Sequence, residues 1–191
     1  NYDYTGLIVW FNYIKNTWGY LNKPIIFADA AAMPMLGRCA FNKSCDKYQN
    51  KYPYMTDSEI LTILDEGQSN PKYSEIKPWW EGEKAKLSVK KAVVAASSGA
   101  DNIFFQFIMS PGADTQNPWN HSALISAGLS YGGSNSEPIG TARPVVYALG
   151  QLNEKVPDFK TIENLNPIPS GEDPYNWLWQ YKINGKWGGF T

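Results

Sequence analysis

The residues able to do chemistry in this chain are few, beginning with its single histidine, His121. His121 follows Trp119 by two positions in a stretch rich in Asn, Ser, Gly and Pro. A flat indole beside a hydrogen-bonding imidazole suits the stacking and binding of a sugar ring, and it suits loop packing equally well. The two cysteines, Cys39 and Cys45, are separated by five residues. That spacing fits a disulfide stapling a small loop, the alternative being a pair of unlinked thiols. Two Cys and one distant His are too few ligands for a structural zinc, so no metal is expected. Neither the dinucleotide pattern G-x-G-x-x-G nor a P-loop occurs, and no cofactor is expected.

Aromatic side chains are abundant: 8 Trp, 12 Tyr and 8 Phe make up 15% of the 191 residues. Such rings fill cores and also line saccharide clefts, and core packing is the commoner use. Trp79-Trp80 reads as a core plug or a helix brace. The 17 Lys and Arg balance 18 Asp and Glu to a net charge of −1, with no long block of either sign. This argues against a nucleic-acid or anionic-membrane partner. No apolar stretch approaches the roughly 18–20 residues needed to span a bilayer. Asn42-Lys43-Ser44 and Asn120-His121-Ser122 match the N-glycosylation acceptor pattern, which together with the cysteine pair points to an extracellular or cell-surface protein. A first residue of Asn1 leads us to expect a processed protein or a piece of a larger one.

The elements that must position these residues follow from periodicity. Leu7, Phe11, Ile14 and Trp18 form a helical stripe, with Asp3 and Thr5 as candidate caps. Residues 24–28 are a continuous apolar run, the pattern of a strand buried on both faces in a parallel sheet. Thr56 and Glu59 form a capping-box pattern ahead of a short helix ending near Asp65, and residues 67–78 are expected to break it. A long helix is predicted over residues 83–98, with Gly99 as its C-terminal glycine, and a second buried strand over 102–107. Irregular segments follow both strands, over 30–55 and 110–140. Pro144 opens another helix to about Lys155. Prolines 157, 167, 169 and 174 punctuate a linker over 157–174, and residues 177–191 alternate around Asn184-Gly185 as a β-hairpin. The fold class is α/β, and two strands cannot bury themselves alone, so further strands must come either from other residues of this chain or from a partner segment outside it.

This order of elements resembles the C-terminal part of a (β/α)8 glycoside hydrolase barrel of the large retaining superfamily called clan A. The stretch Asn22-Lys23-Pro24-Ile25-Ile26-Phe27-Ala28-Asp29 is similar to that superfamily's seventh strand, and residues 87–107 are similar to the following helix, its Gly-Ala-Asp turn and the eighth strand. Ala142-Arg143-Pro144-Val145-Val146-Tyr147 resembles the start of the closing helix, and residues 179–186 resemble the opening hairpin of an appended β-sandwich. The resemblance implies a partial TIM barrel over residues 1–156, comprising its last two strands and their helices. The linker follows over 157–174, then the start of a β-domain over 175–191.

It also implies roles. Retaining glycosidases use two carboxyl groups about 5–5.5 Å apart. The resemblance puts the nucleophile at Asp29, where the superfamily has Glu, and its acid/base partner on a strand outside this chain. Asp is one methylene shorter, and a carboxylate after a strand also serves simply to cap a turn. Gln106, Trp119, His121 and Arg38 are the candidate substrate-binding residues. The activity implied is cleavage of a poly- or oligosaccharide, with the missing N-terminal barrel segment as partner. The alternative is a non-catalytic carbohydrate-binding or structural surface protein on a degenerate barrel.

Overall fold

The computed structural model describes residues 4–28, 55–97, 99–105, 121, 123–126, 140–155, 162–164, 179–183 and 186–190. Helix α1 is Tyr4–Trp18, strand β1 Ile26–Ala28, helix α2 Asp57–Glu66, helix α3 Tyr73–Ser97 and strand β2 Asn102–Phe104. Helix α4 is Pro144–Lys155, and strands β3 (Ile162–Asn164), β4 (Trp179–Ile183) and β5 (Lys186–Phe190) follow. The chain is thus a mixture of helices with a small two-stranded parallel sheet and a separate three-stranded antiparallel one. By its contacts it divides into two units, one of residues 1–30, 89–104 and 151–191, the other of 31–88 and 105–150.

In the first unit β1 and β2 run parallel, in the register Ile26 to Asn102, Phe27 to Ile103 and Ala28 to Phe104. Asp101 locks the entry to the pair: its Oδ2 accepts from Ile25 N at 2.8 Å, while its own backbone N donates to Ile25 O at 2.9 Å. Phe27 and Ile103 pack with Ile25, Ala95 and Ala100, so one sheet face is covered by the end of α3. Gly99, at φ 101°, supplies the left-handed turn that ends α3, and Ala100 N returns to Ala95 O at 3.0 Å. The expected burial on both faces is not found. Ile26 and Phe104 remain 53% and 59% exposed, because nothing among the described residues covers the opposite face. Helix α1 repeats this: Phe11 and Trp18 of its expected core stripe are exposed, as are Trp10 and Tyr13.

The antiparallel sheet has the order β3-β4-β5, with Ile183 opposite Lys186 around residues 184 and 185, as the Asn-Gly turn predicts. Strand β3 lies within the stretch expected as a linker. It pairs Ile162 with Ile183 across a sequence distance that local signals do not carry.

In the second unit α2 and α3 form a hairpin. Thr56 caps α2 through its side chain, which accepts from Glu59 N, and Glu59 reaches back to Thr56 N at 2.7 Å, completing the capping box. Ile60, Leu61, Ile63 and Leu64 pack against Ile76 and Trp80, with Met55, Tyr73 and Trp79 at the margin. Each such side chain, fully buried, contributes about 1.5–3 kcal/mol. Helix α3 begins ten residues earlier than the periodicity suggests, and Pro78 sits inside it. A helical Pro forfeits one backbone hydrogen bond. The fully buried Ile76 and Trp80 on either side of it supply the packing that holds the helix there. Trp79 and Trp80 are therefore within the helix, Trp80 as the core plug expected of it.

Candidate functional site

The most densely bonded polar site among the described residues lies on α3, one turn past Pro78, within the second unit. A helix presents residues three and four apart on one face, so Lys77, Trp80, Glu81 and Lys84 share a stripe. Onto it folds a short segment carrying His121 and residues 123–126. That segment is tied to the entry of α4 by an antiparallel bridge from Ile125 to Ala142 and by Arg143 N donating to Leu124 O at 3.0 Å.

Two backbone carbonyls are the focus of the site. The carbonyl of His121 accepts from Trp80 Nε1 at 3.0 Å, Lys84 Nζ at 3.3 Å and an Arg143 guanidinium nitrogen at 3.4 Å. That of Ala123 accepts from Lys84 at 3.1 Å and Arg143 at 3.3 Å. The counter-charge is Glu81, whose Oε1 accepts from Lys77 Nζ at 2.9 Å and lies 3.9 Å from Arg143. Its Oε2 lies 2.6 Å from Lys84 Nζ, an ion pair between two buried groups.

Burial alone would push the Glu81 carboxyl up, but Lys84, Lys77 and Arg143 together outweigh it and hold the group below the ordinary carboxylate value. For Lys84 burial wins over the attraction of Glu81, and its ammonium titrates at about 8. A lysine so tuned has the acidity of a proton-transfer group. Its amine, 1% exposed and directed at two carbonyls and a carboxylate, is closed to substrate. The cluster acts as a clamp on His121 and Ala123.

His121 faces Asp65 at the end of α2, Nε2 to Oδ1 at 2.9 Å, and its ring meets Trp80 edge-on at 6.2 Å between centroids. A carboxylate so placed fixes the orientation of the imidazole. Of the residues that the sequence singles out for binding or catalysis, His121 is thus placed, in a packed and hydrogen-bonded setting. Asp29, Arg38, Gln106 and Trp119, and the cysteines Cys39 and Cys45, lie outside the described residues.

Asp65, Glu81, Lys84 and Arg143 were not legible as a site. The available signal was the i, i+4 and i+7 spacing of Lys77, Glu81 and Lys84 beside a tryptophan pair. Gly128-Leu129-Ser130-Tyr131-Gly132 has the G-x-S-x-G spacing of a hydrolase nucleophile elbow and also lies outside the described residues. Such an elbow follows a strand, whereas the described residues just before it form a single bridge. Among the described residues no three His, Cys, Asp or Glu side chains come together as a metal-binding group, and no helix is long and apolar enough to cross a membrane. No family model matches the chain, and neither a curated protein nor a solved structure does.

Proposed function

We propose that the chain is the C-terminal part of a (β/α)8 glycoside hydrolase barrel, with Asp29 as the carboxylate that attacks the anomeric carbon. The observation that carries this reading is the parallel pairing of β1 with β2, joined in the chain through α3. In such barrels active sites are built at the C-terminal ends of the strands, from the segments that follow them. Asp29 is the residue immediately after β1. Further parallel strands of the same barrel would pair with the outer edges of β1 and β2, and would cover Ile26 and Phe104. The chain would work outside the cell, with Cys39 and Cys45 joined. The second reading, a carbohydrate-binding or structural protein on a degenerate barrel, is favoured by the Asp at position 29, which is one methylene short.

The test is turnover of aryl glycosides and soluble polysaccharides by the protein that carries this chain. Asp29→Ala should lower it by orders of magnitude and leave glycan binding largely intact. Asp29→Glu should retain or raise it. Absence of hydrolysis on every glycan, or activity indifferent to both substitutions, would overturn the catalytic reading in favour of the second.

A further inference from the structure

A cavity of about 360 Å³ opens beside α2, within the second unit and apart from the clamp, between that helix and the turn leading into α3. This lies in the range of roughly 300–1,000 Å³ common for small-molecule sites. Its apolar lining comes from Met55, Ile63 and Pro71, and its charged lining from Glu59 and Lys72. These two charges attract one another, Lys72 adding to the lowering of the Glu59 carboxyl, but no ion pair joins them among the described residues. Glu59 Oε2 is occupied by the Thr56 backbone N and hydroxyl, which hold the carboxyl ionised and below its ordinary value and leave Oε1 available. Lys72 Nζ makes neither an ion pair nor a hydrogen bond among the described residues. Thr62, also on the lining, gives its hydroxyl proton to Ser58 O at 2.9 Å and so presents its oxygen as an acceptor.

We infer that this cavity binds a small zwitterion, an α-amino acid with an aliphatic side chain. Its ammonium group would be taken by Glu59 Oε1 and the Thr62 hydroxyl oxygen, its carboxylate by Lys72, and its hydrocarbon by Met55, Ile63 and Pro71. An anion held in place by Thr56 and a cation without a direct ion pair, lining one space with apolar groups, complement a molecule that carries both charges and an apolar tail. A singly charged ligand would engage only one of the two groups. The site is independent of the glycosidase reading.

The experiment is a titration of the full chain with L-leucine, followed by the methyl resonances of Met55, Thr62 and Ile63. Saturable shifts confined to these methyls are expected. Lys72→Met and Glu59→Gln should each weaken binding by about tenfold, the equivalent of one lost charged contact. Gln at the third helical position preserves the capping box, so Glu59→Gln should keep α2 folded. Isoamylamine and 4-methylpentanoate, each with one of the two charges, should bind more weakly than leucine. Unmoved methyls, either singly charged analogue binding as well as leucine, or saturable shifts with cellobiose in place of leucine would overturn the proposal.

Discussion

The α2–α3 hairpin and the β1–β2 pair both expose strongly apolar sequence to a folding chain, and they dispose of it in opposite ways. The hairpin closes on itself: Ile60, Ile76 and Trp80 are fully buried, and the charges taken in with them, Glu81, Lys84 and Arg143, answer one another. The strand pair covers one face with Ala95 and Ala100 and leaves Ile26 and Phe104 on the other exposed, while α1 exposes Trp10, Tyr13 and Trp18. A helical hairpin can satisfy both its backbone and its apolar stripe locally. A parallel pair of three-residue strands can do neither, since parallel sheets are stable only with both faces covered. The comparison predicts that stability resides in the hairpin and its clamp, and that the strand pair depends on what covers it.

The largest expected effect tests the clamp. Glu81→Ala would leave Lys84 and Arg143 buried without their carboxylate and should destabilise the chain by about 3–5 kcal/mol, read from urea unfolding by tryptophan fluorescence. Adding Lys84→Met to it should recover a substantial part of that loss, because the strongest uncompensated charge leaves with the carboxylate. A mild effect of Glu81→Ala would mean that the cluster is hydrated and that the hairpin is not the closed half of the molecule.

The same cluster fixes a pH dependence. The Lys84 ammonium titrates at about 8 in the folded chain, against 10.5 for an ordinary lysine. Between these values the unfolded chain holds the proton more tightly, so stability rises with pH through that window. Below pH 8 both states are protonated, and the cost of the buried ammonium is fully present. The shift corresponds to about 3 kcal/mol across the window. Lys84→Met should abolish the rise, and a wild-type curve flat from pH 8 to 10 would contradict the burial of a charged Lys84.

A smaller effect belongs to the start of α2. Thr56→Ala removes the side chain that accepts from Glu59 N and should cost about 1 kcal/mol by the same unfolding measurement. This cap was legible in the sequence, and so were Gly99 after α3 and Pro144 opening α4. Each is set by the conformational preference of one or two residues and needs no distant partner. The features that escaped are those decided at long range. Pro78 marks a break by local rules, yet the burial of Ile76 and Trp80 carries the helix through it. Asp65 reads as the last turn of a helix until His121, 56 positions later, arrives at 2.9 Å. Glu81 falls ahead of the helix start read at residue 83, and nothing local couples it to Lys84 until the helix extends back and the carbonyls of His121 and Ala123 close over Lys84. Strand β3 exists because β4 offers it an edge, in a stretch whose prolines speak for a linker.

The smallest effect is the one that divides the two regions most sharply. Ile26 is 53% exposed in this chain, so Ile26→Ser removes little buried area and should change its stability by less than about 0.5 kcal/mol. In a protein where further parallel strands cover that face, as the barrel reading requires, the same substitution would bury a hydroxyl in an apolar layer and remove most of a side chain worth about 1.5–3 kcal/mol. Ile60→Ser is the internal reference. Ile60 is fully buried within the hairpin, so its replacement should cost the same in the chain alone and in the longer protein. If the cost of Ile26→Ser fails to grow in the longer protein while that of Ile60→Ser holds, the open sheet face is a native surface and the β1–β2 pair is not part of a closed barrel.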